Sequence, residues 1–147
     1  MRTMCILAMG HKMIEDVAPT RTWDELGSRP QAQLVDVRTD AEWMFVGLPD
    51  LASVGKQVIP VSWQGLSGQP NPRFLEQLQA AGLTPEHEIH FICRSGARSH
   101  SAAMAARMAG FTHVFNVAGG FEGPLDAEGH RGSKAGWKAD GLPWRQN

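Results

Sequence analysis

The chain has 147 residues, of which 42% are hydrophobic and 20% charged, and its formal net charge is -1 at pH 7. That length suits one domain of ordinary size, and the mix is that of a globular protein. A chain this close to neutral has no global basic field to draw in nucleic acid or an anionic membrane, so neither is an expected partner and anion binding falls to a local site.

Cysteine usage narrows the class further. Cys5 and Cys93 alone make no disulfide framework, and the six histidines are scattered without metal-ligand spacing. No metal and no cofactor is expected, and a reducing, cytoplasmic setting fits best. The apolar run Cys5-Ile6-Leu7-Ala8-Met9 is too short for a signal-peptide core or a membrane span. Residues 1–16 read as a flexible leader and residues 17–147 as the domain.

In chain order, Thr22-Trp23-Asp24-Glu25 has the form of a capping box, with Thr22 as N-cap of a short helix that stops at Gly27. Gln33 to Arg38 is a β-branched strand, and Thr39 to Met44 a brief helix or turn. Val46 to Pro70 is irregular apart from a strand over Gln57 to Val61. Asn71-Pro72 supplies an N-cap and a first-turn proline for a helix whose apolar face is Phe74, Leu75, Leu78 and Ala81, closed by Gly82. Ile89 to Ile92 is an apolar strand of the kind buried at the centre of a parallel sheet.

Ser99 to Ala109 is the next helix, with Ser101, Met104, Ala105 and Met108 at helical spacing and the two methionines read as core. His113 to Val117 is a further strand, Ala118-Gly119-Gly120 a turn, Gly123 to Gly136 a long loop, and Trp137 to Ala139 a last helical turn. Strands alternating with helices predict an α/β domain, a parallel β-sheet flanked by helices on both faces. Ligands in such a sheet bind beyond the carboxyl ends of the strands.

One of those ends carries the most informative segment, Cys93-Arg94-Ser95-Gly96-Ala97-Arg98-Ser99. A cysteine between a strand and a helix start meets converging backbone N–H groups and the positive end of the helix dipole, which favour the thiolate. Arg94 and Arg98 act in the same direction and suit an anionic substrate. Gly96 allows a tight loop that other residues resist. His90, three residues before Cys93 on the strand, points to the opposite face, and His100 lies in the first helical turn. With no histidine base at hand, activation falls to the loop itself. Asp36 and Arg38 share one strand face and read as anchors for neighbouring loops.

These segments together resemble the single-domain rhodanese-like sulfurtransferase family. Leu34-Val35-Asp36-Val37-Arg38 with Glu42-Trp43 is similar to its early VDVR…E[WYF] motif, and Phe91 to Ser99 to its YCRSGxRS active-site loop. Ala109-Gly110-Phe111-Thr112-His113-Val114 resembles AGFxxV, Asn116 to Phe121 resembles NLxGG[IF], and Trp137 with Gly141-Leu142-Pro143 resembles WxxxGLP. Two departures mark a subfamily. Val46 to Leu51 stands where the family has GHIPGA, and the Gly123–Gly136 loop, with Asp126, Glu128, His130, Arg131 and Lys134, separates the Gly-Gly turn from Trp137.

The resemblance implies a rhodanese-like fold and sulfur transfer through a Cys93 persulfide, from a donor such as thiosulfate to cyanide or a thiol. It implies that the N–H groups of Arg94 to Arg98 stabilise the persulfide and that Arg94 and Arg98 attract the donor. Small-molecule donor and acceptor, or a sulfur-accepting protein, are the partners. The alternatives are a cysteine-based phosphatase or arsenate reductase, whose cradle has one residue more between cysteine and arginine than the four here, and a non-catalytic rhodanese-like binding or sulfur-relay module.

Overall fold

The computed structural model describes residues 14–146. Five parallel strands form the central sheet: β1 (Glu15–Val17), β2 (Ala32–Asp36), β4 (Ile59–Pro60), β5 (Glu88–Ile92) and β6 (Val114–Val117). Their order is β1-β6-β5-β2-β4. β3 (Leu48–Pro49) and β7 (Trp144–Arg145) pair antiparallel in a separate ribbon. The helices are α1 (Pro19–Ser28), α2 (Asp40–Phe45), α3 (Phe74–Ala80) and α4 (Ala97–Met108). Among the described residues, no helix is long and apolar enough to cross a membrane. Residues Met1 to Met13, including Cys5 and most of the expected leader, lie outside the described residues. The sheet itself starts at Glu15, two residues before the expected domain boundary at Val17.

The two-residue period of a strand sorts side chains onto two faces. Ile89, Phe91 and Cys93 join Val35, Phe74, Leu78 and, from α4, Ala102, Ala103 and Ala106 in one core. Leu34, Ile92, Val117, Leu26, Phe121 and Trp137 form the other. Cys93 therefore continues the alternation of β5 onto the α3/α4 face and places its sulfur at the start of α4.

Several elements differ from the sequence reading. Pro19, not Thr22, opens α1, with Ala18 as N-cap. Thr22 is turned toward the sheet, its hydroxyl 2.9 Å from His90 Nδ1. The capping box belongs to Thr39 and Glu42 at the start of α2. α3 starts at Phe74 with Arg73 as N-cap, and Asn71 accepts a hydrogen bond from the Arg73 N–H in a turn that precedes the helix.

The methionines of α4 are not core: Met104 is 38% and Met108 83% exposed. The buried stripe is Ser99, Ala102, Ala103 and Ala106, because Phe91 and Phe111 in the same core leave room only for small side chains. Trp137 to Ala139 is a hydrogen-bonded turn and not a helix, and Trp137 is wholly buried, its indole N–H donating to Pro143 O.

Candidate active site

Cys93 is 1% exposed, immediately beyond β5. Its Sγ accepts hydrogen bonds from the Gly96 N–H and the Ser99 hydroxyl, each at 3.1 Å. Gly96 is the N-cap of α4 with φ +121°, a conformation that turns the chain from the loop into the helix and that a side chain would strain. The first intrahelical bond is His100 N–H to Gly96 O. The N–H groups of Ala97, Arg98 and Ser99 have no partner within the first turn and remain for an anion.

The carbonyls of the loop are fastened from outside. Phe121 N–H donates to Cys93 O at 2.7 Å, and the N–H groups of Glu122 and Gly123 both donate to Arg94 O at 3.0 Å. The Gly119-Gly120 turn comes close enough to do this because it lacks side chains. A Cβ on Gly120 would lie 2.5 Å from Cys93 O and 2.6 Å from Arg94 O. With the Cys93 and Arg94 carbonyls held by these outside donors, the Gly96 N–H is turned to the sulfur.

Ser99 has one hydroxyl proton and three acceptors: Cys93 Sγ, Gly96 O at 3.2 Å and Asn116 Oδ1 at 2.5 Å. Asn116 is fixed in turn, its amide donating to Asp16 Oδ1 at 2.9 Å and to Gly96 O at 3.2 Å. Asp16 stands opposite Asn116 in the β1–β6 ladder. A polar chain thus runs from the sulfur to a carboxylate on the edge strand, at the last residue of the expected leader.

The two loop arginines separate. Arg98 grips Glu42 with two hydrogen bonds of 2.7 and 2.9 Å. Burial opposes ionisation of Glu42, yet the Arg98 guanidinium, with the Thr39 N–H and hydroxyl, outweighs it and holds the carboxyl at about 2. The same bond raises Arg98. The sequence leaves open which loop arginine faces a substrate; the fold engages Arg98 with Glu42 and leaves Arg94 and Ser95 exposed at the mouth. Ala97 is exposed beside them.

Asp36 and Arg38 are wholly buried and paired, Nε to Oδ1 at 2.9 Å and Nη2 to Oδ2 at 2.7 Å. Arg38 Nη2 also donates to Gly47 O at 2.7 Å, and the guanidinium lies 4.3 Å from the centre of the Phe121 ring. The pair therefore ties the Val46–Leu51 segment and the start of the post-β6 turn to the sheet.

No histidine among the described residues hydrogen-bonds to Cys93. His90 lies on the other face, stacked on Phe115, and burial lowers it to about 4 against the pull of Glu25. His100 lines a hollow behind the loop with Asp16, Ser95, Gly96 and Asn116.

The sequence reading gave no role to Asn116, Asp16 or Glu42. The signal for Glu42 was present, since Thr39-Asp40-Ala41-Glu42 has the capping-box form as fully as Thr22 to Glu25. Asn116 and Asp16 reach the site through strand register, which no local pattern reports.

The crystal structure of Rv0390 from M. tuberculosis is similar at 49% identity and a TM-score of 0.83, over 90% of this chain and 98% of that one. The solution structure of the polysulfide-sulfur transferase homodimer from Wolinella succinogenes shares the fold at 21% identity and a TM-score of 0.64, over 97% and 86%. The uncharacterized protein RC0915 of Rickettsia conorii is 36% identical over 133 residues, 90% of this chain and 98% of that protein. The chloroplastic rhodanese-like domain-containing protein 4 of Arabidopsis thaliana is 27% identical over 123 residues, 83% of this chain and 24% of that protein. A family model described as the STR4 middle domain matches residues 15–147. With a parallel sheet of rhodanese-like form beneath that match, the chain belongs to the STR4 middle domain family and has a rhodanese-like fold.

Proposed function

We propose that this protein is a sulfurtransferase that carries sulfane sulfur as a persulfide on Cys93. The observation that carries the reading is the seat of Cys93 Sγ, which takes an N–H and a hydroxyl donor at 3.1 Å under the first turn of a twelve-residue helix. In the first step the thiolate attacks the outer sulfur of a donor such as thiosulfate. The S–S bond breaks and its electron pair leaves with sulfite. In the second, an acceptor attacks the outer sulfur of the persulfide and Cys93 departs as thiolate. One atom is nucleophile, carrier and leaving group in turn, a sequence that suits sulfur.

The N–H groups of the Arg94–Arg98 loop, with the Ser99 hydroxyl, would stabilise the anion at each stage. Arg94 would draw in the donor. Four residues separate Cys93 from Arg98, one fewer than in a cysteine phosphatase, so the cradle favours a single sulfur over a tetrahedral phosphate. The structural similarity to a polysulfide-sulfur transferase supports the class of chemistry. We place it in a reducing compartment such as the cytoplasm, which keeps the thiol available.

The test is intact mass after exposure to thiosulfate and removal of the excess. A gain of about 32 mass units, mapped to residue 93 and lost on adding cyanide, is expected for a reversible persulfide. Cys93→Ser should abolish the gain while Cys5→Ser keeps it. No gain with thiosulfate or polysulfide would overturn the reading in favour of a phosphate-type substrate or a binding module.

A further inference from the structure

Beside the cradle lies a cleft of about 580 Å³, lined among others by Phe45, Leu66, Arg94, Arg98, Glu122 and Arg131. It is a shallow depression open to solvent, with more room than thiosulfate or cyanide requires. Its charges are uneven. Arg98 and Glu42 neutralise each other. Arg94 and Arg131 remain against Glu122, an excess of one positive charge at the mouth. Two of its lining side chains are exposed and apolar, Phe45 at 73% and Leu66 at 80%.

Arg131 comes from the long loop between Gly123 and Gly136, and it is not loosely placed. Its Nη1 donates to Gly123 O at 2.8 Å, and Gly123 N–H donates to Arg94 O. One residue, Gly123, therefore joins the Arg131 guanidinium to the backbone of the cradle. The rest of that guanidinium's donor fork remains for a carboxylate.

Resting on the persulfide reading, we infer that the acceptor is an organic thiol with an apolar body and a carboxylate, and that Arg131 selects it. The carboxylate meets Arg131 and Arg94, the body lies along Phe45 and Leu66, and the thiolate reaches the outer sulfur. A bond forms between the acceptor sulfur and that outer sulfur. The bond to Cys93 Sγ breaks, its electron pair returns to Sγ, and the acceptor leaves as a persulfide. Nothing is oxidised or reduced overall.

The experiment loads wild type, Arg131→Gln and Arg131→Lys with thiosulfate, removes the excess, and follows loss of the added sulfur in single turnovers by intact mass. The acceptors are 3-mercaptopropionate, 2-mercaptoethanol and cysteamine, whose far ends are anionic, neutral and cationic. The ratio of wild type to variant for each thiol cancels the thiol's own reactivity. Arg131→Gln is expected to slow transfer to 3-mercaptopropionate about tenfold, as for one lost charge-assisted contact, and to leave the other two within about twofold. Arg131→Lys should restore most of the rate. Equal losses with all three thiols would mean that Arg131 merely braces the loop, and no loss with any would mean that it does nothing; either overturns the inference while the persulfide stands. Failure of the wild type to load overturns the persulfide reading and this inference with it.

Discussion

Arg38 and Arg98 each hold a carboxylate with hydrogen bonds from two nitrogens, yet one pair is wholly buried and the other sits at the rim of the cradle. Arg38 and Asp36 are two residues apart at the end of β2, with both side chains at 0% exposure. Arg98 and Glu42 are 56 residues apart, join α4 to α2, and are 20% and 18% exposed. Water can compensate a broken pair at the rim but not in the interior. The buried pair is thus a strut whose loss is felt throughout the fold. The rim pair fixes where a positive charge points.

The sharpest way to break this contrast is to remove one partner of each. Arg38→Met leaves the Asp36 carboxylate buried without a cation and strips Gly47 O of its donor. The expected loss is about 3–5 kcal/mol in urea unfolding. Asp36→Leu added to Arg38→Met should recover part of it, since no lone charge is then buried. A loss near zero for Arg38→Met would erase the distinction.

Glu42→Gln is expected to cost about 1–2 kcal/mol at pH 7, discounted for partial exposure. Its signature is in pH. The Glu42 carboxyl sits at about 2 in the fold and near its ordinary value, about 4.3, when unfolded. A depressed carboxyl stabilises above the unfolded value and loses that contribution as pH falls toward the folded one. Wild type should therefore lose stability faster than Glu42→Gln between about pH 4.5 and 2, and the two should differ by a constant amount from pH 5 upward. Parallel curves would show that the rim pair is not ionic in its effect.

The smallest effect is set by Arg73, the N-cap of α3, and Glu76 in its first turn, where both side chains are about two-thirds exposed. Arg73→Ala should not change Tm measurably, because solvent screens such a pair.

The part of the site that was legible in the sequence is the part contiguous in it. Cys93 to Ser99 carry their own chemistry, and a strand followed by a helix start says where an anion is welcome. What escaped was assembled by packing. Asn116 and Asp16 are 100 residues apart and meet only because β1 and β6 pair in that register. The capping-box pattern occurs twice, and only the start of α1 at Pro19, which turns Thr22 inward, decides which is used. Met104 and Met108 follow helical spacing faithfully, but the space between α4 and the sheet admits methyl groups, so the alanines face inward. Hydrophobic periodicity reports a stripe and says nothing of the gap it must fit.

The long excursion after β6 leaves and returns at one spot. Gly136 packs so closely on the Gly119-Gly120 turn that a Cβ there would lie 2.8 Å from Gly120 O and 3.1 Å from Gly123 N. Trp137 N–H then donates to Gly120 O at 2.8 Å. Both ends of the excursion thus rest on the turn that braces the cradle, and between them Arg131 and Gly132 bond back to Gly123 and Glu122 beside it. Doubling the length of a flexible loop costs only about 0.6 kcal/mol in closure entropy. The arrangement works as an interchangeable fitting: segments of other lengths and charges can be seated between the same two anchor points, and the domain can change what it serves without rebuilding the machinery at Cys93.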